Sequence, residues 1–197
     1  SAAARWDASS AGSRSHRARA DTWIASVWAF MRSSMEALSP LRAALAASFI
    51  AVVAIAARDA GDLPIRYQLL IYPATDQRRG WPSHNSNGQG YLLTADTLTY
   101  FQDHYITDPA QKLDWRASPL LHPDLGRLPP ALVLTAGYDP LRDEALQYSH
   151  RLTQAGNRAT HILFERQIHG FITMGRVIDE ANAAVQICAA ELRRALA

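Results

Sequence analysis

The sequence predicts an α/β fold in which a parallel sheet is flanked by helices. Ala131–Ala136 is an apolar run without alternation, which is typical of a strand covered on both faces. An amphipathic helical pattern follows from Asp139, and Thr160–Phe164 resumes a strand. A strand, a helix and a strand in so few residues require a right-handed crossover, and we therefore expect the two strands to pair in parallel.

The helix between these strands carries start and stop signals. Asp139 and Pro140 match an N-cap followed by a first helical position. Acidic residues early in the helix suit the positive end of its dipole, and Gly156 is placed to end it. The apolar stripe that faces the sheet is predicted to consist of Leu141, Ala145, Tyr148, Leu152 and Ala155.

The residues on either side of this strand–helix–strand unit are predicted to supply the rest of the core. Leu41–Ala57 is read as a helix buried against the sheet, because its fifteen uncharged residues from Ala43 onward are fewer than the roughly twenty needed to span a bilayer. Ile65–Tyr72 is predicted to be a strand, residues 77–92 a long surface loop, and Thr94 the cap of a short helix. The apolar positions of a closing helix are Ala181, Ala184, Val185, Cys188, Leu192 and Ala195.

The composition favours one globular domain and argues against a nucleic-acid-binding protein. A chain of 197 residues with 48% hydrophobic and 19% charged residues fits one globular domain. Residues 1–20 are rich in Ser, Ala and Arg, and they are predicted to be a disordered or non-native leader before a domain at 21–197. This leader is basic, but no aromatic platform or reader motif follows it, so we expect no nucleic-acid partner.

Cysteine and histidine usage argues against disulfides and metals. Cys188 is the only cysteine, so a disulfide within the chain is impossible. The seven histidines do not have metal-ligand spacing. We therefore expect no metal, no cofactor and a cytoplasmic location.

Two residues that could carry chemistry follow the two strands. Asp139 lies at the end of the first strand and His169 lies just past the second. Ligands of parallel sheets bind outside the carboxyl ends of the strands, where these side chains could form a carboxylate-oriented general base. Two alternatives remain from spacing alone: Asp139 could serve only as a helix cap, and His169 could be a solvated loop histidine.

Four fragments together resemble a known family: LLIYPATD, RASPL, LPPALVLTAGYDPLRDE and HGF. They are similar to the C-terminal half of the hormone-sensitive-lipase-like branch of α/β-hydrolase esterases, over roughly Ala51–Ala197. The resemblance implies a partial α/β-hydrolase fold that is incomplete on its N-terminal side. It also implies that Asp139 is the triad acid and His169 the triad base of a carboxylic ester hydrolase acting on small esters. Asp139 would fix the tautomer of His169, which would deprotonate a serine.

The serine itself is not identified. In this fold it precedes the acid, on a tight turn that the family builds as Gly-Asp-Ser-Ala-Gly-Gly, whereas residues 41–50 contain no glycine. Ser48 lies near the right place but inside a helix-forming run, and Ser10 mimics the motif but comes too early and without a preceding strand. The family's His-Gly-Gly-Gly oxyanion loop is also absent from the sequence. We leave the nucleophile unassigned.

Two functions are weighed first, and a third option follows them. The chain is either a carboxylesterase-type hydrolase or a catalytically inactive, truncated or frame-shifted remnant of one. A third option is a different α/β-hydrolase chemistry, such as a peptidase, since the Asp and His motifs do not determine the acyl group. The frame-shift hypothesis predicts that the DNA before the Ala51 codon, read in another frame, encodes the serine turn. An incomplete sheet would leave one edge bare, which favours self-association.

Overall fold

The computed structural model of this chain describes residues 41–61 and 63–197. The strands are β1 (Gln68–Ile71), β2 (Ala131–Tyr138) and β3 (Ala159–Ile168). The α-helices are α1 (Leu41–Ala60), α2 (Pro82–Ser86), α3 (Ala95–Tyr105), α4 (Arg142–Gln154) and α5 (Asp179–Leu196). Short 3-10 helices lie at Pro109–Leu113, Pro119–Leu121 and Phe171–Thr173. The predicted leader at residues 1–20, and Ser10 within it, lie outside the described residues.

The described strands form a parallel sheet in the order β1-β2-β3. In the register of this sheet, Leu134 of β2 pairs with Ile71 of β1 and with Ile162 of β3. Every residue of β2 except the last is buried, because helices cover both faces of the sheet. The predicted α/β class with a parallel sheet is confirmed, and the sheet is smaller than that of a complete α/β-hydrolase fold.

The core lies on both faces of the sheet. Successive strand residues point to opposite faces, so Val133 packs with α1 and α4, whereas Leu132 and Leu134 pack with α5. The predicted burial of the first helix is confirmed, since Ala51 and Ile55 are fully buried. Within the described part of the chain, no helix is long and apolar enough to cross a membrane.

Several element boundaries differ from the sequence-based expectation. Strand β1 is shorter than predicted, and β3 continues four residues beyond Phe164 because β2 extends alongside it. Ala155 and Val185 are exposed rather than part of the apolar faces. The Gly156 stop is confirmed: its φ is +84°, its N–H donates to Thr153 O, and the following N–H donates to Leu152 O.

The interpretation of residues 77–92 as a surface loop holds for most of the stretch but is wrong for a short helix and several buried residues within it. This stretch contains α2, and Ser83, His84 and Asn87 are 0%, 7% and 5% exposed. Their polar groups can be buried because each forms hydrogen bonds with the end of β2, with the turn that follows it or with the first turn of α4.

Candidate active site

Asp139 and His169 meet at the carboxyl edge of the sheet. Asp139 follows β2 directly, and His169 follows β3 directly. The Nδ1 atom of His169 lies 2.7 Å from Oδ2 of Asp139, and the two residues are 1% and 0% exposed. The structure therefore brings together the two residues that the sequence singled out, and His169 is not a solvated loop histidine.

The second carboxylate oxygen of Asp139 shapes the turn after β2. Its Oδ1 accepts a hydrogen bond from the N–H of Leu141 at 2.8 Å, which closes a turn over Pro140. Helix α4 begins at Arg142 with Leu141 as its N-cap, so the expectation that Asp139 itself caps this helix is wrong. Because Oδ1 is engaged by the turn, Oδ2 is the oxygen that faces the imidazole.

This geometry determines which imidazole nitrogen is basic. A carboxylate only accepts hydrogen bonds, so Nδ1 of His169 carries the proton and Nε2 has the free lone pair. Nε2 is buried and has no hydrogen-bond partner among the residues that the structure describes. A buried polar atom without a partner is uncommon in native proteins. The pair thus presents an oriented basic nitrogen that can accept a proton from a reacting group.

The ring of Tyr72 packs against the imidazole of His169. The ring centroid of Tyr72 lies 4.9 Å from that of His169, and the Tyr72 hydroxyl accepts a hydrogen bond from the N–H of Ile172 at 3.3 Å. Tyr72 adopts a φ of +53°, which is an outlier for a bulky residue. Burial raises the pKa of Tyr72, so its hydroxyl stays neutral. Gly170, with a φ of +83°, turns the chain directly after the histidine.

A second buried acid–imidazole pair joins α2 to the first turn of α4 and was missed by sequence reasoning. His84 Nε2 is 2.8 Å from Oε2 of Glu144, and Glu144 Oε1 accepts from the N–H groups of Thr75 and Asp76. The only sequence signal for it is that Glu144 belongs to the acidic run after Asp139. The five residues of α2 are too few to show a periodicity.

The pKa values of His84 and Glu144 are both raised above their ordinary values. Burial alone would lower the pKa of His84, but the hydrogen bond and the charge of Glu144 outweigh it, and the pKa is raised. Burial raises the pKa of Glu144, against the opposing effects of His84 and the backbone N–H groups of Asp76 and Thr75.

The cavity beside this second pair is small and separate from Asp139 and His169. Its volume is about 40 Å³, and its lining includes His84, Glu144, Asp76 and Phe101 but neither Asp139 nor His169. Ligand pockets for small molecules are typically about 300–1,000 Å³.

Ser48 does not complete a triad in this structure. It lies within α1, and its Oγ accepts a hydrogen bond from the N–H of Ala74 at 2.9 Å rather than contacting Nε2 of His169. Residues 41–50, where the family's tight turn is expected, are helical throughout. Among the described residues, no group of three or more His, Cys, Asp or Glu side chains could hold a metal ion.

Comparisons with known proteins identify the family of this chain. A family model described as alpha/beta hydrolase fold matches residues 17–173. The ethyl acetate hydrolase of Pseudomonas putida is 40% identical over 131 residues, which cover 66% of this chain and 41% of that protein. The carboxylesterase NlhH of Mycobacterium tuberculosis is 32% identical over 184 residues, which cover 89% of this chain and 58% of that protein.

Solved esterase structures superpose on about three quarters of the chain. EstE1, a thermophilic carboxylesterase from a metagenomic library, is 37% identical with a TM-score of 0.71 and covers 75% of this chain and 51% of its own. The hyperthermophilic esterase of the archaeon Pyrobaculum calidifontis is 42% identical with a TM-score of 0.68, covering 75% and 49%. The chain spans about half the length of the curated relatives it matches, from 41% to 58% of the first four. With a family match over most of its length and a parallel sheet that ends in an acid–imidazole pair, this chain belongs to the α/β-hydrolase family.

Proposed function

We propose that this chain carries the acid and the base of a carboxylic ester hydrolase of the hormone-sensitive-lipase-like branch. The observation that carries the proposal is the 2.7 Å hydrogen bond between Asp139 and His169, which leaves Nε2 of the histidine free to act as a base. Relatives named as an ethyl acetate hydrolase and a carboxylesterase support an ester as the substrate class. We expect a small ester, no cofactor, no nucleic-acid partner and a cytoplasmic location.

The proposed chemistry is acyl transfer through a serine. His169 Nε2 takes the proton of the serine hydroxyl as its oxygen attacks the ester carbonyl, and Asp139 stabilises the imidazolium that forms. The imidazolium then gives its proton to the leaving alcohol. In the second half, His169 takes a proton from a water molecule that attacks the acyl-enzyme, and it returns this proton to the serine oxygen as the carboxylic acid leaves. The serine of this scheme remains unassigned.

Hydrolysis of a short-chain p-nitrophenyl ester tests the proposal. We expect turnover that His169→Ala lowers by on the order of a millionfold, because removing the base of a triad disables the nucleophile. His150→Ala is the matched control, because His150 is an exposed histidine on α4 and its loss should leave turnover unchanged. Turnover that survives in His169→Ala would contradict the proposal.

A catalytically inactive remnant is the second candidate. It is favoured by the helical conformation of residues 41–50 and by the hydrogen bond that engages Ser48 with Ala74. It predicts that the wild-type chain does not hydrolyse the ester at all. The frame-shift hypothesis behind it stays a prediction, and reading the DNA before the Ala51 codon in the other two frames tests it. Turnover of a peptide substrate instead of an ester would favour the third option.

A further inference from the structure

The turn that carries the acid has carbonyl groups that require buried partners. Gly137, at the end of β2, and Asp139 and Pro140, in the turn, each present a carbonyl oxygen there, and two side chains of the α2 segment (Trp81–Asn87) reach all three. Asn87 Nδ2 donates to the carbonyls of Gly137 and Asp139, each at 3.2 Å, and Ser83 Oγ donates to that of Pro140 at 2.7 Å. Buried carbonyls are almost always paired, so these contacts restrict where the turn can lie.

The α2 segment is itself anchored to the helix that follows the turn. The N–H of Ser83 donates to Oδ2 of Asp143 at 2.9 Å, and the N–H of Asp143 donates to Ser83 Oγ at 3.2 Å. The His84–Glu144 pair adds a third link, and Glu144 in turn binds the backbone after β1. Because Asn87 projects from a segment fixed in this way, its amide acts as a rigid support and does not simply follow the turn.

We propose that Asn87 is a positioning residue for Asp139: by bridging the carbonyls of Gly137 and Asp139, it keeps Oδ2 of the carboxylate directed at Nδ1 of His169. This inference rests on the proposed function, in which that hydrogen bond sets the basic nitrogen. Asn87 does not touch the imidazole, so it acts only through the backbone of the acid.

The consequence of removing this support follows from the geometry. Without the Asn87 amide, the carbonyls of Gly137 and Asp139 lose a shared buried donor, and the turn is free to rotate toward other partners. Arg142 also donates to the Gly137 carbonyl at 3.0 Å, and its backbone N–H reaches Asp139 O at 3.2 Å, so the turn should relax rather than unfold. The measurable effect is a loss of the Nδ1–H hydrogen bond of His169.

Nuclear magnetic resonance of ¹⁵N-histidine-labelled protein measures this bond directly. The Hδ1 resonance of His169 is identified by its absence in His169→Gln, and the Nδ1-protonated tautomer is read from the ring nitrogen shifts. We expect Asn87→Ala to lose the Hδ1 resonance and to give mixed tautomers. Asn87→Asp keeps the size of the side chain and removes its N–H donors, so it should also lose the Hδ1 resonance. This variant replaces Asn87→Ala in the test if the alanine variant does not fold.

Asn157→Ala is the matched control. Asn157 also donates to two carbonyls, those of Leu125 and Leu152, at 2.6 and 2.9 Å, but it lies past the opposite end of α4. Its loss should lower stability and leave the His169 resonance in place. An Hδ1 resonance that persists unchanged in both Asn87 variants overturns the positioning role alone. Its absence from the wild-type protein overturns the Asp139–His169 pair, and with it the proposed function.

Discussion

Gly137 shows how one missing side chain lets the acid reach the imidazole. A Cβ atom built on this glycine would lie 1.9 Å from the carbonyl oxygen of Glu165 on β3, a backbone atom that cannot rotate away. The register between β2 and β3 also shifts between Ala136 and Tyr138. The close approach of the two strands at this point places the residues that follow each of them, Asp139 and His169, within hydrogen-bond distance.

Gly137→Ala therefore tests the close approach. Forcing β2 and β3 apart should lower the free energy of unfolding by about 1–3 kcal/mol or more, as in other overpacked sites. Urea unfolding followed by circular dichroism measures the change. Gly80→Ala is the control, because no heavy atom lies within 4 Å of its added Cβ, and it should change stability by less than about 0.5 kcal/mol. Equal stability of the two variants would contradict the argument.

At the scale of elements, α2 and α4 are joined by groups that can titrate. His84 and Glu144 are 7% and 1% exposed and come from these two helices. The pKa of His84 is raised above its ordinary value, so the folded state retains a proton that the unfolded chain releases near pH 6.5. The stability that this proton contributes is complete below that pH and is lost as pH rises through the folded-state pKa.

We expect the free energy of unfolding to fall as pH rises above about 6.5, and to fall less steeply in His84→Gln. The raised pKa of Glu144 acts with the same sign and begins to act at a lower pH, because the ordinary carboxyl value is 4.5. Urea unfolding of both proteins at a series of pH values measures the difference. His150→Gln, at an exposed position on α4, should keep the wild-type dependence. Parallel curves for wild type and His84→Gln would refute the prediction.

For the whole molecule, the outer edge of β1 is the feature that bears on assembly. The N–H of Gln68 donates to the carbonyl of Pro130, directly before β2, and the N–H of Tyr72 donates to that of Leu134 in β2. The N–H groups of Leu69 and Ile71 therefore alternate away from β2. None of the described strands pairs with this side of β1. An unpaired strand edge is a template for another chain, and self-association through it stays a prediction.

Proline at position 69 tests this edge. Leu69→Pro removes an outward N–H without breaking the ladder to β2, and it should abolish concentration-dependent association in sedimentation velocity. Leu69→Ala is the matched control, because it loses the same packing of Leu69 against the core and keeps the N–H. It should associate as the wild type does. A wild-type chain that sediments as a monomer at every concentration would rule the prediction out.

The sequence by itself determined the unit from β2 to β3 and the placement of Asp139 and His169 at its strand ends. These features depend on local signals: an unbroken apolar run, a helical stripe and a glycine that ends the helix. Periodicity along a chain records which face of an element is buried, and the carboxyl ends of parallel strands share one edge. That is enough to predict which residues meet, but not the hydrogen bonds that orient them.

Only the tertiary structure decided that Ser83 and His84 of α2 are buried, that Asp139 closes its own turn and that Nε2 of His169 is the free nitrogen. His84 and Glu144 are 60 residues apart, as are Ser83 and Asp143, and no local pattern joins them. A short polar segment resembles a surface loop until the carbonyls and carboxylates that satisfy it are known. Burial of polar groups depends on partners brought by the fold, and those partners lie elsewhere in the chain.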